Sequence, residues 1–257
     1  MDYDAWAKWY DVFYATAGTE DVDFYVEVAK SSGGPVLEIG CGTGRVSLPI
    51  AEAGIDIVGV DFSPAMLVKA NERGSNSRNL GISYEFIRGD MRTLALGRKF
   101  PLVIIPARTL YLALTPEEQV QSLRKAAEHL APGGILAFNL FVPDPNLISD
   151  TSEEPFSMGE SINPTTGLRC LLSAVNSPDP VTQTIRSVQT VEELDESGSV
   201  VRTEDLVVNL RFMYPSEVHL ILEDAGLVAD QVYGDFFGGP LEEDSEEMVW
   251  VVRHING

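Results

Sequence analysis

Three side-chain patterns in this sequence have types and spacing suited to chemistry. The first is the stretch VLEIGCGTGR, residues 36–45, in which an apolar run leads into Gly40, Gly42 and Gly44. Glycines between a strand and a helix let the backbone approach a ligand and adopt angles that other residues resist. The helix N-terminus behind them offers unpaired N–H groups. The second is Asp61, at the end of the next apolar run, where a carboxylate can accept hydrogen bonds from both hydroxyls of a ribose. The third is Gly89-Asp90-Met91, an acid beside an apolar residue, suited to the amine edge and ring of an adenine. A dinucleotide fingerprint needs glycines at positions 1, 3 and 6, and Arg45 stands at the sixth. The loop therefore points to a nucleoside ligand without the pyrophosphate pattern, and Asp61 by itself fits a dehydrogenase equally well.

These groups need a scaffold that brings strand ends together. Residues 35–39, 55–60, 82–88, 102–106 and 135–141 read as five strands. Helices at 45–53, 64–73 and 116–130 separate them, with Ser63 and Thr115 as N-caps, each followed by proline. Strands alternating with helices imply a parallel sheet covered on both faces, with ligands at the carboxyl ends of the strands. After Pro143 the pattern changes. Residues 168–175, 181–191 and 200–212 read as strands with no helix between them, hence an antiparallel meander. A helix at 216–225 and strands at 228–233 and 248–253 return to the first pattern. The expected organisation is one domain over 1–257, an aromatic-rich helical cap over 1–33, and a β insertion over 145–212 acting as a lid, with little core of its own.

The chain has 257 residues and a formal charge of −21, a field that repels phosphate backbones and anionic lipid, so neither nucleic acid nor membrane is expected as a partner. An acidic surface suits a cationic ligand or an amine. The opening residues lack a basic stretch followed by an apolar core, so no secretory signal is expected. Two distant cysteines, Cys41 and Cys170, imply a reduced, cytoplasmic protein, and with three scattered histidines they give no metal-ligand spacing. A monomer or homodimer is expected, since antiparallel inserts carry edges that can pair.

Taken together, LEIGCGTG, GVDFSPAML, FIRGDMRTL and LAPGGILAF resemble the class I S-adenosylmethionine-dependent methyltransferases, of the small-molecule type that includes amino-sugar and glycine N-methyltransferases. The resemblance covers residues 36–141 and continues more weakly through YPSEVHLILEDAGL. It implies a Rossmann-like, seven-stranded, mostly parallel sheet with helices on both faces and a small antiparallel insertion after strand 5. It implies S-adenosyl-L-methionine as cofactor, with Glu38 facing the methionine part and Gly40, Cys41 and Gly42 passing beneath it. Asp61 would hold the ribose, Phe62 and Met66 would flank the adenine, and Asp90 with Met91 would bind its edge. Tyr10 and Tyr25 match aromatic positions that cover the cofactor in the amino-sugar enzymes. Arg45 reads as an exposed residue of the first helical turn.

The family places its substrate-facing loop after strand 4, which makes Arg108 and Tyr111 candidates there. Phe141 at the end of strand 5 and Phe236 near the sixth are further pocket candidates, and Asp235 joins Arg108 and Tyr111 as a catalytic candidate. No general base is determined. The expected activity is methyl transfer to a nitrogen or oxygen of a small molecule by in-line displacement, an aligned attack from which water is excluded. The alternatives are a noncatalytic module that binds the same cofactor and an NAD(P)-dependent dehydrogenase.

Overall fold

The computed structural model describes residues 3–14, 18–77, 83–149, 152 and 154–255. The chain divides into two compact units: residues 19–143 with 213–257, and residues 1–18 with 144–212.

The larger unit is built on a seven-stranded sheet in the order β10-β11-β5-β4-β1-β2-β3. Its strands are β1 (Val36–Ile39), β2 (Ile57–Asp61), β3 (Tyr84–Arg88), β4 (Phe100–Ile105), β5 (Leu130–Phe141), β10 (Leu227–Tyr233) and β11 (Glu247–His254). Only β11 runs against its neighbours, pairing antiparallel with both β5 and β10. β1 is buried along its whole length, as a central parallel strand covered on both faces must be. The expected caps are present: the amide of Met66 donates to Ser63 Oγ at 3.1 Å, and that of Glu118 donates to Thr115 Oγ1 at 3.2 Å. They start α4 (Pro64–Ser77) and α5 (Pro116–Ala127). Helix α2 (Glu20–Ser32) turns Val22, Tyr25 and Ala29 inward, a helical spacing that joins Ile50, Leu102 and Ile104 in one apolar cluster. The first helix after the glycine loop, α3 (Ser47–Glu52), is shorter than its sequence suggests, because residues 43–46 form turns.

The smaller unit holds a four-stranded antiparallel sheet, β6 (Phe156–Ile162), β7 (Arg169–Asp179), β8 (Thr184–Leu194) and β9 (Val200–Arg211), in sequence order. Helix α1 (Tyr3–Tyr14) buries Trp6, Trp9 and Val12, spaced three apart. Lys8 Nζ lies 2.5 Å from Glu204 of β9, and the Arg202 guanidinium lies 5.3 Å from the centre of the Trp9 ring. Cys170, Leu172 and Ala174 alternate inward along β7, Leu172 stands directly across from Val191 of β8, and Ile185 and Leu206 are also buried on β8 and β9. Two expectations change here. Residues 1–33 do not form one cap, because the buried faces of α1 and α2 belong to different units. The insertion also has a core of its own, completed by the aromatic face of α1. β6 was not expected as a strand: its residues are mostly exposed, and its pairing slips between Ser157 and Gly159, so it lacks a regular alternation.

Gly40 and Gly54 separate two costs of substitution. Both have positive φ, +80° and +84°, but a Cβ on Gly40 would lie 2.3 Å from Thr109 Cγ2, whereas one on Gly54 meets open space. Gly54→Ala should cost about 1 kcal/mol through backbone strain, and Gly40→Ala about 1–3 kcal/mol more through overpacking. Equal losses in urea unfolding would show that the contact with Thr109 carries no cost.

Candidate active site

The sheet order reverses direction between β1 and β4, and an open α/β sheet presents its crevice at the carboxyl ends of such a pair. The loops that follow these two strands meet there, Gly40 from one side and Thr109 from the other. Gly42 and Gly44 also take positive φ, 53° and 79°. Gly59 on β2 has a different reason for being glycine, since a Cβ there would strike Phe86 at 2.7 Å and Cys41 at 2.9 Å.

Glu38, at the end of β1, is only 2% exposed. The Ser47 hydroxyl donates to its carboxylate. Burial pushes its pKa up to about 8, against the opposing pull of Ser47 and of the nearby Arg45. Arg45 is not an exposed residue of a first turn: its guanidinium donates to both oxygens of Asp21 on α2, at 2.9 and 2.5 Å, and its side chain is mostly buried. That fork ties α2 to the glycine loop.

The Asp61 carboxylate spans two turns. It accepts from the amide of Gly42 at 2.8 Å and from that of Ser63 at 2.8 Å, so one side chain fixes the ends of β1 and β2 together. Phe62 is exposed, with the Arg88 guanidinium 5.8 Å from its ring centre, while Met66 is buried. Asp90 accepts from the amide of Arg92 at 2.9 Å and from its guanidinium at 2.7–3.3 Å, which holds the carboxyl below its usual range. Arg92 reaches onward to Glu118 at 2.6 Å. Met91 beside it is half-buried.

After β4, Ala107 and Arg108 both sit in the left-handed region, φ 54° and 61°. This turn aims Arg108 at Glu247, the first residue of β11: Nε donates to Oε1 at 2.9 Å and Nη2 donates to the same oxygen. The other oxygen of Glu247 accepts from Asn139 Nδ2 at 3.0 Å, and Asn139 Oδ1 accepts from the Tyr25 hydroxyl at 2.9 Å. Tyr25 is thus not a cover residue on a surface: it is fully buried, and its hydroxyl is the inner end of a four-residue chain. Burial and the charges of Asp21, Glu247 and Glu38 push its pKa up.

Tyr111 is likewise buried, its hydroxyl donating to the carbonyls of Phe141 at 2.8 Å and Met213 at 3.3 Å. Burial raises its pKa, and the two carbonyls hold the phenol in place. Its ring meets that of Phe141 edge-on at 4.8 Å, and the Arg108 guanidinium lies 5.8 Å from the Phe141 ring centre. Asp235 accepts from the amides of Phe237 and Gly239, both at 2.8 Å, and so shapes its own loop. Phe236 packs against Phe24 of α2 at 5.9 Å. Tyr10 belongs to the smaller unit, where its ring packs on Tyr14 at 4.5 Å.

The methyltransferase-domain profile matches residues 36–134. A cypemycin N-terminal methyltransferase from a Streptomyces species is 30% identical over 223 residues, covering 86% of this chain and 83% of that protein. The chain belongs to the S-adenosylmethionine-dependent methyltransferases. The CcbJ methyltransferase of Streptomyces caelestis superposes on it with a TM-score of 0.81 at 26% identity over 95% of each chain. A dTDP-3-amino-3,4,6-trideoxy-α-D-glucopyranose N,N-dimethyltransferase of Streptomyces venezuelae is 29% identical over 133 residues, about half of each chain. The dehydrogenase reading is set aside.

The donor set suits this methyltransferase. A buried carboxylate held near neutrality favours a cationic group brought beside it, and the methyl donor carries a sulfonium and an ammonium. Raising the folded-state pKa of Glu38 above its unfolded value near 4.5 gives stability that is complete below that value and is lost as pH rises through about 8. Glu38→Gln removes this loss. In the cofactor-free protein the stability of Glu38→Gln relative to wild type should climb between pH 5 and 8, by up to about 1.4 kcal/mol per pH unit. A difference independent of pH in thermal melts would mean that Glu38 is ionised throughout.

Proposed function

We propose that this methyltransferase moves a methyl group from S-adenosyl-L-methionine to an amine nitrogen of a small molecule. The observation that carries the reading is the set of carboxylates at one end of the sheet: Glu38 near the end of β1, Asp61 at the end of β2 and Asp90 just after β3 lie in order around a glycine loop, and Glu247 opens β11 at the same end. Such an edge attracts a cation, and a basic amine arrives as one. Of the two curated relatives described above, the amino-sugar enzyme is named an N,N-dimethyltransferase, and the other, named an N-terminal methyltransferase, extends over most of this chain.

In this reading Asp61 holds the ribose hydroxyls from the position that the amides of Gly42 and Ser63 give its carboxylate. Asp90, aligned by Arg92, takes the adenine amine, with Phe62 and Met91 beside the ring and Met66 supporting it from below. Gly40, Cys41 and Gly42 leave room for the methionine end, next to Glu38. When bound, the cofactor supplies a methyl group already activated by its sulfonium. The protein's own task is to hold the acceptor nitrogen in line and exclude water. An ammonium acceptor first gives its proton to water, since the Tyr111 hydroxyl is committed to two carbonyls. A net charge of −21 also argues against a nucleic-acid substrate, and two free cysteines suit a cytoplasmic enzyme.

Two measurements test the reading. Labelled methyl transfer to paired amines and alcohols, including amino-hexosides and the matching hexosides, should be confined to the amines; transfer to hydroxyls alone would overturn the nitrogen assignment. Asp61→Ala should weaken calorimetric binding of S-adenosylhomocysteine by more than about 1 kcal/mol, through lost ribose bonds and the unpaired amides of Gly42 and Ser63. Unchanged affinity would remove Asp61 from the site.

A further inference from the structure

The chain Tyr25–Asn139–Glu247–Arg108 stands outside the residues that hold the cofactor in the reading above. Its geometry is costly to maintain. Asn139 is 3% exposed near the carboxyl end of β5, among apolar residues, and both ends of its amide are used in fixed directions. Ala107 and Arg108 occupy consecutive left-handed positions without being glycine, a strain that persists only where its surroundings impose it. The outcome of both is one carboxylate in one orientation. Its side chain is 15% exposed, and its visible partner, the Arg108 side chain, is 50% exposed. A fixed carboxylate under an exposed, displaceable cation is a site that another cation can take over.

We propose that Glu247 is the counter-charge for the acceptor nitrogen, with Asn139 as its positioning residue and Arg108 as the cover that the acceptor displaces. The inference rests on the amine reading and adds the residue that selects for it. During transfer the acceptor nitrogen's lone pair forms the new bond to the methyl carbon while the bond to sulfur breaks, leaving its electron pair on sulfur. Positive charge thereby moves from sulfur to nitrogen. A preoriented carboxylate beside the nitrogen stabilises that charge as it arrives, which favours the transition state over the neutral bound amine. Glu247 takes no proton: the N–H proton of the product ammonium leaves to water. A hydroxyl acceptor would gain less from a carboxylate that takes no proton, since its oxygen is a poor nucleophile until its proton leaves and then ends the transfer neutral rather than cationic. Arg108 lies over the Phe141 ring while it covers Glu247, so it has an apolar surface to rest on as it swings aside.

The test uses Glu247→Gln and Arg108→Gly, the second of which suits the left-handed backbone. With the best amine of the panel above, Glu247→Gln should lower kcat/KM at least tenfold, mainly through kcat, while S-adenosylhomocysteine affinity stays within twofold of wild type. Arg108→Gly should move acceptor binding in the opposite direction, lowering the amine KM and tightening calorimetric amine binding in the presence of S-adenosylhomocysteine. A merely structural ion pair would make both variants less stable and shift KM the same way. If wild type methylates the amine and Glu247→Gln does so equally well, the counter-charge role is overturned and the amine reading stands. If wild type turns over no amine, both fall.

Discussion

The reversal of strand order between β1 and β4 is the constraint from which the site follows. A sheet wound both ways from its middle must separate the loops at that point, and here they separate only as far as Gly40 and Thr109 allow. The absence of a side chain at Gly40 keeps the β4 loop close enough for its turn to reach β11. Asp61 then locks the glycine loop to the next strand through two backbone amides, and Arg45 locks it to α2 through Asp21. The crevice is thus bounded by groups whose positions are set by backbone hydrogen bonds and forked ion pairs, a preorganised arrangement.

Much of this was legible in the sequence, for identifiable reasons. Ser63 and Thr115 gave their helix starts because cap, proline and spacing are local features. Gly40, Gly42 and Gly44 mark the turn after β1 because positive φ selects for glycine. The strand-end acids were legible from their position after apolar runs. What was not legible depends on contacts far apart in sequence. Arg45 looked like a surface residue because nothing near it names Asp21, 24 positions earlier. Tyr25 and Tyr111 are site candidates through the family resemblance, and no pattern in the sequence shows that both are buried with their hydroxyls bonded to distant residues. Asn139 carried the one weak signal, a single polar residue within ILAFNLF. Glu247 carried none, since it stands in the acidic run LEEDSEE and only the register of β11 sets it apart.

The charge of the molecule also takes on a local meaning. Twenty-one net negative charges spread over a surface would serve solubility alone. Here Glu38 is buried at the end of β1, its pKa raised to about 8, and Glu247 is nearly buried under Arg108. Both are acids kept from water, where a carboxylate's attraction for a cation is stronger than at a screened surface.

The one antiparallel strand has a consequence for how the enzyme comes into being. Glu247 meets Asn139 across 108 positions and Arg108 across 139. The glycine loop and its acids can assemble from the first half of the chain as it is synthesised, while this pair must wait for β11 to be made and inserted beside β5. A nascent chain would therefore acquire its glycine loop and strand-end acids well before Glu247 reaches Asn139. Between those moments Arg108 lacks the carboxylate of Glu247, and the turn at 107–108 is held only by its local bonds to Pro106 and Tyr111. Activity would then appear late and abruptly in synthesis, with the arrival of a single strand.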